Sequence, residues 1–199
     1  DFRQGNSYRI IYIHVPAAVV ALAGYYVMAL AGAVSLIWRI KMADITMRAV
    51  APVGAVLTGI ALLTGAIWGK PTWGAWWVWD ARITSMLILL FLYLGVVALF
   101  EAYENKTAAA RACAVLTLVG TVNIPIIYKS VDWWYSLHQP ASIKFTGESA
   151  IDSSMLYPLL LMILAFYCLF AVTVLLNMRA ELIWTHRESG WLKQWVGDA

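Results

Sequence analysis

The sequence has 199 residues, of which 62% are hydrophobic and only 13% are charged, and its mean hydropathy is +0.74. Water-soluble domains contain about 45–50% apolar and about 25% charged residues, so this composition excludes an ordinary soluble domain and indicates a membrane protein. The net charge of +3 comes from scattered Lys and Arg and does not imply a nucleic-acid partner. The two cysteines, Cys113 and Cys168, form no CxxC or CxxCH motif, so we expect both to be buried apolar residues.

The apolar segments predict the fold class. A helix needs about 20 apolar residues to span a bilayer. Five stretches without Asp, Glu, Lys or Arg come close to this length, and the predicted spans are about residues 12–38, 49–69, 83–100, 112–128 and 153–178. The fourth is the shortest and contains Asn123 and Pro125, which favours a kink or an early end there. The sequence therefore predicts an all-α, polytopic membrane protein with a single membrane domain over residues 1–199.

The connections between these spans fall alternately on two sides. Eight of the 14 Lys and Arg residues lie on one side, and the positive-inside rule makes that side cytoplasmic. It holds the tail, residues 179–199. The other side holds the N-terminal stub, a Trp-rich external loop at about 68–82 and a second external loop at about 129–152. Because five spans put the N-terminus outside, we also expect a sixth span upstream of Asp1.

The Trp-rich loop contains the segment WGAWWVWDARITS, residues 73–85. Trp73, Trp76, Trp77 and Asp80 are spaced i, i+3, i+4 and i+7, so a helix beginning near Pro71 would place them on one face. Such a helix could lie passively in the membrane interface. The alternative is a stacking platform for a large, flat, apolar ligand, and the concentration of tryptophans in this loop exceeds what an interfacial belt requires.

Two histidines favour the ligand platform. His14 lies at the outer mouth of the first span and His138 in the second outer loop, so both are on the side of the Trp-rich loop. A single histidine at a membrane boundary is commonly structural, but a pair beside an aromatic platform is a candidate for axial ligation of haem iron. His186 lies in the opposite tail, where we expect a solvated residue.

Charged residues near the loop suggest further contacts. Arg9 and Arg82 could each bind a carboxylate bidentately, and a haem has two propionates. Arginines near lipid headgroups are equally ordinary, so this assignment stays open. We expect Asp80 to fix the loop through hydrogen bonds, either to indole N–H groups or to Arg82, rather than to contact iron.

These residues carry a resemblance to a known family. WGAWWVWDARITS resembles the WWD signature of the haem-handling proteins of cytochrome c biogenesis, and the order of histidines, loop and helices is similar over most of the chain. With GNSYRIIYIHVPAA, residues 5–18, it looks most similar to the haem exporter protein C family. The resemblance implies that His14 and His138 are axial ligands of haem iron, beside a platform made by Trp73, Trp76, Trp77, Trp79 and Asp80.

The resemblance also implies a function, a location and partners. It implies a six-helix protein of the bacterial inner membrane that holds haem b as transient cargo at the periplasmic face. Such a protein loads haem onto a membrane-anchored periplasmic chaperone and works with a small single-span subunit and an ATP-binding cassette exporter pair. No GxxxxGK[ST] motif occurs in the sequence, which agrees with ATP hydrolysis in another chain. We therefore expect a binding and delivery protein rather than an enzyme, with a lyase-like role in chaperone loading left open.

Three other functions stay open from the sequence. A permease that moves haem through its own bundle usually has broken helices or charged groups at midplane, and only Asn123-Ile-Pro125 suggests a break. A b-type haem electron-transfer anchor normally has histidine pairs facing each other within the bundle. A scaffold would use the Trp-rich loop as a docking patch.

Overall fold

The computed structural model describes residues 4–138, 151–187 and 189–190. All regular secondary structure in these ranges is helical, and five helical segments, one of them the interrupted stretch Lys106–Trp133, are long and apolar enough to cross a membrane. The predicted all-α, polytopic fold is confirmed. A short 3-10 helix, Gly5–Ile10, leads directly into the first α-helix. The α-helices are α1 (Ile11–Trp38), α2 (Lys41–Trp73), α3 (Ala81–Ala102), α4 (Lys106–Gly120), α5 (Asn123–Trp133) and α6 (Ser153–His186).

The fourth predicted span differs from the others because it is not one continuous helix. The first, second, third and fifth each lie inside a single longer helix, whereas α4 ends at Gly120 and α5 begins at Asn123. The side-chain amide of Asn123 donates to the carbonyl oxygen of Ser85 in α3, at 2.9 Å. This bond satisfies a buried polar group and ties the break in the span to α3.

Helices α1 to α4 form a bundle in which α1 contacts α2 and α4, and α3 contacts the same two helices. Helix α5 packs on α3, and α6 lies against α1 and α2. Most of α6 is exposed and apolar, with only Leu159 and Val174 buried, as expected for a helix that faces lipid or another apolar surface. Cys113 is buried as predicted, but Cys168 is exposed because it lies on the outer face of α6.

A tyrosine fixes how the first three helices pack. The hydroxyl of Tyr93 in α3 donates to the carbonyl oxygen of Ala21 in α1, at 2.7 Å. Its ring lies against Gly54 in α2 so closely that a Cβ atom there would be 2.2 Å from two ring carbons. Only glycine permits this approach. The register of α1, α2 and α3 is therefore set at one buried point.

The Trp-rich loop is not the single helix that its spacing predicted. Helix α2 continues through Pro71 to Trp73 and ends at Gly74, whose φ of 79° is left-handed, a conformation that commonly terminates helices. Residues 75–79 are irregular, and Asp80 then caps the N-terminus of α3 by accepting from the amide of Ile83. The predicted common helical face of Trp73, Trp76, Trp77 and Asp80 is therefore wrong, because Gly74 breaks the helix inside it.

The loop, His14 and the end of α5 lie at one end of the bundle, which we call the tryptophan end. The connections Arg39–Ile40 and 103–105 lie at the opposite end. There Arg48 bonds to Glu101 at 2.8 Å and to Glu181 at 3.1 Å, which ties α2 to α3 and α6. Part of the second predicted loop and most of the tail, residues 139–150, 188 and 191–199, lie outside the described residues.

The orientation of the bundle can be tested with two single cysteines in a Cys168→Ala background. Thr72 is exposed at the tryptophan end and Glu104 is exposed at the opposite end. If the end with more Lys and Arg is cytoplasmic, Thr72→Cys should react with a membrane-impermeant thiol reagent in intact cells, and Glu104→Cys only after the membrane is broken. The reverse labelling pattern would contradict this orientation.

Candidate functional site

His14 is held by the helix next to its own. It lies in the first turn of α1, and its Nδ1 is 2.9 Å from the carbonyl oxygen of Ala61 and 3.2 Å from Oγ1 of Thr64, both in α2. The Thr64 hydroxyl donates its hydrogen to the carbonyl oxygen of Ile60. Its oxygen therefore accepts a hydrogen bond from Nδ1 of His14. Gly65 leaves room for the ring, since a Cβ atom there would be 3.0 Å from Cε1 of His14.

His138 is held by a carboxylate. Its Nδ1 is 3.2 Å from Oδ2 of Asp80, and its backbone amide donates to Oγ of Ser136. The Ser136 hydroxyl donates to the same carboxylate oxygen, at 2.5 Å. The predicted role of Asp80 in fixing the loop through hydrogen bonds thus has specific partners, and they are Ser136 and His138 rather than an indole or Arg82.

The partners of both histidines define which ring nitrogen is protonated. Burial lowers the pKa of His138 below its ordinary value, although the hydrogen bond and charge of Asp80 oppose this. Burial acts to raise the pKa of Asp80, but hydrogen bonds from Ile83, Ser136 and His138 outweigh it and keep that pKa below its usual range. At neutral pH Asp80 is therefore a carboxylate and His138 is neutral. A carboxylate only accepts, so Nδ1 of His138 carries the proton and Nε2 is a bare donor atom for a metal.

The same reasoning applies to His14. The Ala61 carbonyl oxygen can only accept, so Nδ1 of His14 is also the protonated nitrogen when the ring is neutral,. Nε2 is again left as the atom that can ligate. Both imidazoles pack against tryptophans in the last turns of α2, although they come from residues 124 positions apart in the sequence (138 minus 14). The structure thus brings the two predicted histidines together.

Tryptophans from the last turns of α2 pack against both histidines. The ring of Trp68 is edge-on to His14 at 5.9 Å between centroids, and that of Trp73 is edge-on to His138 at 4.8 Å. Trp73 folds back over Gly69, where a Cβ atom would be 3.0 Å from its ring. Sequence spacing included Trp73 in the platform but gave no sign that Trp68 supports His14.

The irregular loop presents the remaining tryptophans differently. Trp77 is half-buried and packs edge-on against Trp79, with 5.5 Å between ring centroids. Trp76 and Trp79 are 58% and 74% exposed. The indole N–H of Trp77 is buried and has no hydrogen-bond partner among the described residues, which leaves one donor for an acceptor that they do not supply. The loop therefore offers two exposed indole surfaces at the tryptophan end.

Comparisons with known proteins decide the family. The family model "Heme exporter protein C" matches residues 1–193. The chain belongs to the haem exporter protein C family. A relative of that name from Escherichia coli K12 is 47% identical over 196 residues, which are 98% of this chain and 79% of the relative. Another from Bradyrhizobium diazoefficiens is 50% identical over 183 residues, which are 92% of this chain and 70% of the relative.

A plant relative connects the family to cytochrome assembly. In Marchantia polymorpha, a protein named "Putative cytochrome c biosynthesis ccmC-like mitochondrial protein" is 44% identical over 183 residues, which are 92% of this chain and 77% of that protein. These names support haem handling in cytochrome c biogenesis, and the resemblance predicted from the sequence is confirmed. The names of these relatives do not identify ligands. The roles of individual residues are therefore argued from the hydrogen bonds and ring contacts described above.

Arg82, predicted as a contact for a carboxylate, is occupied within the protein. Its guanidinium donates to Oγ of Ser130 at 3.3 Å and to the carbonyl oxygens of Ile127 and Tyr128 at 3.5 and 3.3 Å. These groups lie in α5, from its middle towards its C-terminal end. Arg82 therefore joins α3 to α5, whereas Arg9 is exposed on the 3-10 helix.

We expect Arg82→Met to lower the free energy of unfolding in detergent by about 1–3 kcal/mol, because the change removes a charged donor from partly buried acceptors. The matched variant, Arg9→Met, should change it by less than about 0.5 kcal/mol. Thermal unfolding followed by tryptophan fluorescence measures both. If Arg82→Met kept the parental stability but lost haem, Arg82 would be a ligand contact rather than a link between helices.

Proposed function

We propose that this protein holds haem at the outer face of the membrane through His14 and His138 and delivers it to a membrane-anchored haem chaperone. The observation that carries the proposal is the matched anchoring of the two imidazoles. Each donates Nδ1–H to an acceptor within the protein, so each presents Nε2 as a ligand. Histidine anchored in this way is the usual form of a metal-ligating imidazole.

The donor set fits haem better than a bare metal ion. No group of three or more His, Cys, Asp or Glu residues that could hold a metal ion occurs among the described residues. Two neutral imidazoles suffice for haem iron, because the porphyrin supplies the other ligands. The exposed indoles of Trp76 and Trp79 supply flat apolar surface at the same end of the protein, and aromatic rings stack well on a flat ligand.

A delivery role follows from how open this site is. Trp76 and Trp79 are largely exposed rather than enclosed, so a ligand against them stays accessible to a second protein. Haem bound at this edge can be transferred without crossing the bundle. From the family resemblance we further propose haem b as the transient cargo. The proposed partners are a periplasmic chaperone, a single-span subunit and an ATP-binding cassette exporter pair. The proposed location is the bacterial inner membrane, with the tryptophan end in the periplasm.

The two-ligand assignment is tested by His14→Ala and His138→Ala in the full chain purified with haem. Each single variant should keep part of its haem with a more high-spin absorption spectrum, because one ligand remains together with the aromatic surface. The double variant should bind little. Added imidazole should fill the vacant position in a single variant and restore part of the low-spin spectrum.

The control is His186→Ala. His186 lies at the far end of α6, where its Nδ1 is 3.1 Å from the carbonyl oxygen of Leu182. This variant should have the parental spectrum and haem content. A single variant of His14 or His138 that kept the parental low-spin spectrum would refute the assignment, as would loss of haem from His186→Ala.

The contribution of the aromatic surface is tested by Trp76→Ala. A buried aromatic side chain covers about 150–250 Å², and apolar burial contributes about 25 cal/mol per Å². Losing this partly exposed ring should weaken haem binding by about 1–3 kcal/mol, and Trp76→Phe should lose less. Trp38→Ala is the matched control, since Trp38 is 63% exposed at the opposite end. Equal haem retention by Trp76→Ala and Trp38→Ala would mean that the loop is only a membrane belt.

A further inference from the structure

The carboxylate of Asp80 connects three parts of the tryptophan end. Its Oδ1 accepts from the backbone amide of Ile83 at 2.8 Å and so caps α3. Its Oδ2 accepts from Ser136 and from Nδ1 of His138. The side chain is only 6% exposed. One carboxylate oxygen thus caps a helix and the other binds an imidazole. Both oxygens are satisfied within the protein.

The two histidines therefore have chemically different partners. Nδ1 of His14 faces a carbonyl oxygen and a hydroxyl oxygen, both neutral, in α2. Nδ1 of His138 faces a charged carboxylate. A hydrogen bond to a charged acceptor is roughly twice as strong as one between neutral groups. It also draws the Nδ1 proton away from the ring, which makes Nε2 more basic and a better metal donor.

We propose that Asp80 is a positioning residue that orients His138, fixes its Nδ1-protonated tautomer and makes it the stronger of two unequal ligands. This inference rests on the proposed function for the identity of the ligands. In this inference Asp80 is not part of the surface that contacts haem. Its role is to hold the imidazole of His138. His14, with neutral partners, is then the ligand that an incoming histidine or imidazole displaces first.

Asp80→Asn is the informative variant because asparagine caps helices about as well as aspartate. The start of α3 is therefore retained while the charge next to His138 is removed. In the haem-loaded protein the midpoint potential should rise, because a weaker donor stabilises ferric iron less. Displacement of the histidine ligands by added imidazole should become faster by about tenfold or more, the usual size of such effects.

Two matched variants separate charge from simple loss of a hydrogen bond. Thr64→Val removes one neutral partner of His14 and leaves the Ala61 carbonyl, so its shift in midpoint potential should be much smaller than that of Asp80→Asn. Ser136→Ala removes a hydrogen bond to the Asp80 carboxylate and the acceptor of the His138 backbone amide but keeps the charge, so its shift should also be smaller than that of Asp80→Asn. An equal shift in Thr64→Val and Asp80→Asn would overturn the inequality of the two ligands.

A measurement on the haem-free protein tests the tautomer directly. Nitrogen-15 NMR of labelled histidine in detergent should show protonated Nδ1 and bare Nε2 for His138 in the parent, with the signal assigned by its loss in His138→Ala. The carboxamide of Asp80→Asn can donate to Nδ1, so its spectrum should contain a population protonated at Nε2. The inference would fail if Asp80→Asn had the parental tautomer together with the parental potential and exchange rate. It would also fail if Asp80→Asn had the parental tautomer and bound no haem.

Failure of this inference is distinct from failure of the proposed function. If His138→Ala kept the parental low-spin spectrum, His138 would not be a ligand and the proposed function would fail with it. If His138→Ala lost the low-spin spectrum while Asp80→Asn kept the parental potential, exchange rate and tautomer, the ligand pair would stand. Only the positioning role of Asp80 would then be wrong.

Discussion

The arrangement of the tryptophan end depends on one constraint, that a neutral imidazole has a single N–H. When that N–H is at Nδ1 and donates a hydrogen bond to a protein acceptor, Nε2 can only accept a hydrogen bond or ligate a metal. Here the acceptors are Ala61 for His14 and Asp80 for His138. Both are fixed by helices, the first by α2 and the second by the N-terminus of α3. The direction in which each Nε2 points is therefore determined by helix packing rather than by the loops.

This constraint makes the membrane bundle part of the site. The acceptors of His14 lie in α2, so α1 and α2 must keep one register, and each residue of sliding would move the acceptor by about 1.5 Å. Tyr93 prevents such sliding, because its hydroxyl holds Ala21 of α1 while its ring occupies the space above Gly54 of α2. Arg82 extends the same control to α5. Buried packing within the bundle, away from the histidines, thus sets the geometry of the site.

The sequence predicted the fold class and offered candidate site residues, but it did not predict the contacts between them. Apolar length identifies spans without any tertiary information, and a histidine or a tryptophan is recognisable by its chemistry alone. The conformation of the Trp-rich loop was missed because the prediction followed the helical spacing of the tryptophans. It gave no weight to Gly74, which terminates α2. The contact between Asp80 and His138 joins residues 58 positions apart, and no local pattern encodes it. The contacts of Arg82 with α5 were missed for the same reason, since its acceptors lie 45 to 48 positions away in the sequence.

In the proposed function, the site must both hold haem and release it, and the two proposed ligands differ accordingly. His14 belongs to a long helix and has neutral partners, so it is rigid in position but an ordinary donor. His138 follows α5 in an irregular segment and would be poorly placed alone, but the carboxylate of Asp80 fixes it to α3 and strengthens it. Rigid placement thus belongs to one proposed ligand and donor strength to the other. In the proposed function, haem stays bound through the strong ligand while the weaker one is replaced, and the exposed edge of Trp76 and Trp79 leaves room for that exchange.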